Sequence, residues 1–275
     1  EVAVLACPPR EGIEQLTRNL FFSDDMDALN AELANAGIEG DAVPAPVSAY
    51  LLQSEDRTIL IDAGMGGVTA LGPGFGRMAA ALDALGVAAG DVDTVILTHA
   101  HPDHLGGLLG AAGPAFPNAE LIMAETEHGF WSDAGMRAQA PEQAQGLFDL
   151  ATAVFDAHAA QLTLVGDGAE VAPGVTLSLS PGHTPGHSVL TIDGGDRSLM
   201  MVADTLHSVD LHMAYPETGF GFDVDTQLAG QSRRRIFDMA AADKMLIAGS
   251  HIHFPGIGRI RADGDAYRFS AATWG

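Results

Sequence analysis

The sequence is short of several things, and each shortage removes a class of protein. Its 275 residues contain one cysteine, Cys7, so neither a disulfide framework nor a thiolate-clustered zinc or iron–sulfur site can be built from it. No apolar run approaches the roughly 20 residues of a membrane span, which excludes an integral helical membrane protein. The first residues do not read as a signal peptide, although the chain opens on Glu1 rather than methionine, as it would after removal of a leader. That leaves a soluble protein of the cytoplasm, or of the periplasm or exterior after cleavage. Bases are the scarcest commodity: 13 against 36 acids, for a net charge of −23, with Lys244 the only lysine. Such a surface repels nucleic-acid phosphates and anionic lipid headgroups, so neither is expected as a partner. The acidity itself reads as a solubility adaptation, of the kind a saline habitat would favour. The one basic run, Arg233-Arg234-Arg235, lies in a helical stretch and reads as a solvated face.

A hydrophobic content of 47% is ample for a folded core, and the length suits one domain of two αβ halves. Residues 1–45, with a Pro8-Pro9 turn, resist assignment and are treated as an N-terminal extension. From Val47 onward the elements are clear. Residues 47–53 and 57–62 form a hairpin around Ser54-Glu55-Asp56. Met78, Leu82 and Leu85 mark a helix closed by Gly86, and Thr94–Thr98 is a buried strand. Another strand contains Leu121-Ile122-Met123. Pro141 opens a helix with a stripe of Leu147, Leu150 and Val154, and Val175–Leu179 alternates as a strand. Ser188–Ile192 and Leu199–Ala203 make a hairpin around Gly194-Gly195. A helix over 226–242 precedes a strand at 245–248. Strands and helices in this order predict a layered α/β core.

Histidine carries the chemistry. Three of eleven fall in His99-Ala100-His101-Pro102-Asp103-His104, directly after a buried strand, where Pro102 helps turn the backbone. Imidazole and carboxylate without thiolate suit zinc, with cobalt, manganese or iron as alternatives. Gly182-His183-Thr184-Pro185-Gly186-His187, Asp204 and His251 each follow a strand end, where side chains from one rim of a sheet can meet. Together they offer donors for two adjacent metals.

His-x-His-x-Asp-His, Gly-His-Thr-Pro-Gly-His, an aspartate after a strand and a late histidine resemble the metallo-β-lactamase superfamily over about 47–261. Within it the likeness is to methyl parathion hydrolase-like organophosphate hydrolases and N-acyl-homoserine-lactone lactonases; Leu71-Gly72-Pro73 with Gly76-Arg77, Phe130-Trp131, Leu206-His207 and the run 251–258 resemble the first group. The resemblance implies an αββα sandwich with metals at one edge. It implies that His99, His101 and His183 hold one metal, that Asp103, His104 and His251 hold the second, and that Asp204 bridges. Asp62 and His187 would orient ligands from behind. His207 would contact the substrate where some relatives place a tyrosine, donating to a developing oxyanion. Phe130, Trp131, Leu206, Phe220, Phe222 and Phe254 are candidates for an apolar pocket. His253 points away from His251 and is left unliganded, while His128, His158 and His212 read as surface or packing residues.

The reaction these residues imply is hydrolysis of a small neutral ester-like bond in a lactone, aryl ester or phosphotriester. A metal-bridging hydroxide would be the nucleophile and Asp103 would take up the proton. A homodimer is compatible with this reading. The alternatives are a glyoxalase II-like thioesterase, which should carry more basic residues; a single-iron sulfur dioxygenase, which the late His251 opposes; and a silent ligand sensor, which the intact ligand set opposes.

Overall fold

A computed structural model describes residues 2–6, 15–67, 76–195 and 197–273. Cys7, Pro8-Pro9 and Leu71-Gly72-Pro73 therefore lie outside the described residues. Two compact units divide the chain: Glu1–Ile13 with Val47–Asp167, and Glu14–Pro46 with Gly168–Gly275.

The first unit is built on a six-stranded sheet. Its order is Val2–Ala6, Ser48–Gln53, Thr58–Ile61, Thr94–Ile96, Glu120–Ala124, Leu162–Val165. The expected hairpin is present, with Tyr50 opposite Ile61 and Ser54 N–H donating to the Arg57 carbonyl. From Thr58–Ile61 onward every pairing is parallel, and parallel neighbours need crossovers. Helices Met78–Ala84 and Glu142–Ala157 lie in two of these connections. Gly86, at φ +71°, follows the first helix in the left-handed conformation that a helix-terminating glycine adopts. The apolar stripe of the second helix runs through Phe148, Ala151, Val154 and Phe155, so that of the predicted Leu147, Leu150 and Val154 only Val154 is fully buried. Leu147 and Leu150 flank the core rather than fill it. Two larger aromatic rings outcompete the leucines for the buried face.

The second unit carries a seven-stranded sheet ordered Ala169–Ala172, Val175–Leu179, Ser188–Asp193, Ser198–Met201, Leu246–Ala248, Ile257–Asp263, Ala266–Ala271. All its pairings are antiparallel except Ser198–Met201 with Leu246–Ala248, whose crossover contains helix Thr226–Ala242. That helix packs Ile236, Phe237 and Ala240 onto Val189, Met200, Ile247 and Ile260. Residues 15–46 belong to this unit. Asp25 caps helix Met26–Asn35 by accepting the Ala28 N–H at 2.9 Å, and Leu29 and Leu33 pack with Phe21, Val43, Leu211 and Phe220.

Arg233 departs from the solvated face expected of the arginine run. It is 1% exposed and donates to the carbonyls of Thr205, Pro216 and Thr218 at 2.6–3.0 Å. Three converging acceptors satisfy a guanidinium that burial alone would penalise. Burial still draws its pKa down, to about 10. No helix among the described residues is long and apolar enough to cross a membrane.

Candidate metal centre

In the first unit the donors follow strand Thr94–Ile96. His101 caps a helical turn, Pro102–Leu105, with Pro102 at its first position, where a missing N–H costs nothing. The proline therefore starts a helix rather than a simple turn, and Asp103 and His104 fall in that helix. Donor atoms of His99 and His101 lie within 4.8 Å of each other, as do those of Asp103 and His104. Asp62 organises the loop from behind. It accepts the Thr98 N–H at 2.8 Å, the Thr98 hydroxyl at 2.9 Å and His104 Nδ1 at 2.8 Å. Its φ of +58° is rare for a non-glycine residue, a local strain of the kind that collects at functional sites.

In the second unit Asp204 is the hub. His183, His207 and His251 bring Nε2 to 3.3, 3.1 and 3.1 Å of its Oδ2. Each ring but His207 is anchored through Nδ1: His183 on Asp223 Oδ1 at 2.9 Å, His251 on the Pro46 carbonyl at 2.8 Å. His187 binds the Ser180 carbonyl through Nδ1 at 2.9 Å and accepts the Asp204 N–H on Nε2 at 3.1 Å. An acceptor on Nδ1 fixes the tautomer whose Nε2 carries the lone pair, which is how metal-binding histidines are held. His104, held on Asp62, obeys the same rule. The donor chemistry and its anchoring therefore fit divalent metal ions. Ala203, at φ +43°, delivers the chain into Asp204. Gly182, at φ +126°, lies so close to the Ala229 backbone that a Cβ would collide with it.

Burial pushes the His183 imidazole down, but hydrogen bonds and charges from Asp204 and Asp223 outweigh it and raise the pKa to about 9. His207 goes the other way, to about 4, because burial dominates its contact with Asp204 and the neighbouring histidines add repulsion. His212, also fully buried, is lowered further; its Nδ1 accepts the His207 N–H at 3.0 Å.

The remaining residues separate cleanly. Trp131 and Leu206 are buried in core clusters, and Phe130 packs beside Trp131, so these three act first as packing. Trp131 also meets the His101 ring edge-on at 5.5 Å. Phe220 is buried and stacks on His207 at 3.7 Å, whereas Phe222 and Phe254 are exposed. His253 is exposed and His158 buried, its Nδ1 on the Val154 carbonyl.

Three positioning residues escaped the sequence reading. Glu127 is fully buried and accepts the Ala100 N–H at 2.9 Å and Trp131 Nε1–H at 2.7 Å, pinning the His99–His101 backbone. Asp223 anchors His183, and Arg233 holds the carbonyl beside Asp204. The Glu127/Trp131 spacing of four was a visible signal, as was Asp223 beside Phe222; neither resembled a motif.

Known proteins resemble this chain. Residues 42–251 match the metallo-β-lactamase superfamily. N-acyl homoserine lactonase AiiA of Bacillus thuringiensis subsp. kurstaki is 27% identical over 231 residues, covering 77% of this chain and 83% of the relative. Among solved structures, the hydrolase AbOPH of the β-lactamase superfamily superposes with a TM-score of 0.91 at 26% identity, covering 100% of this chain and 94% of that one. AidC, a dizinc quorum-quenching lactonase bound to a product, N-hexanoyl-L-homoserine, gives 0.89 at 26%, covering 99% and 94%. The matched span contains every proposed ligand, the likeness extends over the whole length, and the chain belongs to the metallo-β-lactamase superfamily.

Proposed function

We propose that this chain is a dinuclear metal-dependent hydrolase of ester-like bonds, with a lactone as the favoured substrate. The observation that carries the reading is Asp204 with three histidine Nε2 atoms on one carboxylate oxygen. The lactonases among its relatives supply the substrate class. His99, His101 and His183 would hold one ion, Asp103, His104 and His251 the other, and Asp204 both, within a single functional domain. Zinc suits these nitrogen and oxygen donors best. Two such ions, when bound, supply a hydroxide nucleophile at neutral pH and polarise the carbonyl that it attacks.

The chain's own residues do the rest. Asp62, Asp223 and the Pro46 and Ser180 carbonyls orient the imidazoles, so that no reorganisation is needed during reaction. Asp103 is the most solvent-accessible donor of the set, which suits it to take the proton of the added hydroxyl and hand it to the ring oxygen that leaves. His207, neutral at working pH, would present an N–H to the oxygen that gains charge.

Removal of metal should abolish hydrolysis of an N-acyl homoserine lactone, and Zn²⁺, Co²⁺ or Mn²⁺ should restore it. Asp204→Ala should lose metal and reduce turnover by orders of magnitude. Full activity in a verified metal-free sample would overturn the mechanism. Hydrolysis of an aryl ester or phosphotriester in preference to the lactone would overturn the substrate.

A further inference from the structure

Thirteen bases are a small stock for a protein with 36 acids, yet four of them line one cleft of the second unit. Arg197, Lys244, Arg259 and Arg261 surround about 1470 Å³, and among the described residues Asp238 and Asp243 are the acids on its wall. All four cations are exposed. Arg259 reaches the Lys244 carbonyl through Nη1, which accounts for it as a cap on the end of helix Thr226–Ala242. Asp238 is engaged by the Tyr267 hydroxyl at 2.5 Å. Arg197, Lys244 and Arg261 make no hydrogen bond or ion pair through their side chains among the described residues, in a chain that carries 36 acids.

The last hairpin sharpens the point. Arg259 and Arg261 are two apart on strand Ile257–Asp263 and so share a face, and Arg261 lies directly opposite Arg268 on Ala266–Ala271. Like charges directly opposed across a ladder destabilise it. Arg268 is neutralised by Asp263 at 2.6 Å; Arg261 is not. A chain selected only for solubility or stability would place one of its abundant carboxylates at such a position. Solvation alone does not explain three cations in one concavity with no ion-pair partner among the described residues.

We propose that this cleft binds a small polyanion carrying two or more phosphate or sulfate groups. Successive same-face residues of a strand are about 7 Å apart, a spacing that adjacent oxyanion groups of one ligand can bridge. Guanidinium forks match tetrahedral oxyanions in geometry as well as charge. The cleft shares no residue with the proposed metal ligands, so the inference stands independently of the hydrolase reading.

The test is isothermal titration of the metal-loaded full chain with two probes, sodium tripolyphosphate and pyrenetetrasulfonate, with metal content measured after each titration. The sulfonate coordinates metals poorly and separates oxyanion binding from chelation. Both probes should bind one per chain and weaken on raising salt from about 50 to 200 mM. Arg197→Ser/Arg261→Ser should weaken both at least tenfold without changing the melting temperature, metal content or lactone hydrolysis. Arg57→Ser, which removes an exposed cation not on the cleft wall, should leave both affinities within twofold. Absence of binding up to millimolar probe would overturn the proposal, as would equal losses in the two variants, or binding by tripolyphosphate alone with loss of metal.

Discussion

Single residues decide how much of the site is ligand and how much is support. His207 is the sharpest case, because its Nε2 lies 3.1 Å from Asp204 while its buried Nδ1 has no partner among the described residues. With a pKa near 4 it is neutral throughout the working range, so it offers an N–H rather than a charge. If that N–H serves the oxygen that gains charge, His207→Ala should lower kcat by roughly 10²–10³, the scale for removing one such donor. KM should change less, since the bond strengthens only as charge develops. Metal content, read by elemental analysis, should stay at two ions per chain. Loss of an ion in the variant would instead make His207 a ligand, consistent with its place beside His183 and Asp204 in one donor group.

Elements deliver these residues, and here the sequence was legible in proportion to how local the signal was. Helix Thr226–Ala242 and the two hairpins follow from periodicity and turn residues, and lie within a residue or two of expectation. Asp62 was named although its partners Thr98 and His104 lie 36 and 42 residues on; the His187 role was legible because the residue lies inside the Gly-His-Thr-Pro-Gly-His motif. Glu127, Asp223 and Arg233 were not, because each acts on a backbone or ring 27 to 40 residues away, and no local pattern records a long-range hydrogen bond. Residues 15–46 hid their helix for a different reason: its ten residues bury only Leu29 and Leu33, too few for a strong stripe. The close approach at Gly182 was equally invisible. Gly182→Ala should force the His183 loop away from the Ala229 backbone, costing about 3 kcal/mol or more as both clash and strained φ. Gly195→Ala, also at positive φ but in open space, should cost only about 1 kcal/mol. Denaturant midpoints at unchanged m-value would measure both; equal costs would mean that the loop relaxes freely.

At the scale of the whole molecule, folding, proton binding and metal binding are linked through the same histidines. Without metal, His183 is held at about 9 against an ordinary 6.5. The stabilisation of its charged form is fully present below pH 6.5 and is lost as pH rises through 9. His207 acts with the opposite sign: the folded state keeps it neutral down to about 4, so the unfolded chain gains its proton first as pH falls below 6.5 and stability declines from there. His212, lowered further by burial, adds to that acid limb. The metal-free protein should therefore be most stable near pH 6.5, falling on both sides. A metal ion competes with the proton for His183 Nε2, so metal loading at pH 7 should release protons and raise stability most on the alkaline side, where the bare cluster has lost its imidazolium. Melting temperatures across pH 5–9, with and without zinc, would show this as a maximum near 6.5 that broadens and moves upward in pH on loading. Proton release is read independently by repeating the zinc titration in buffers of different ionisation enthalpy. A metal-free profile still rising between pH 6.5 and 9 would mean that His183 is neutral in the folded chain, and that Asp204 and Asp223 hold it less firmly than their 2.9–3.3 Å contacts require.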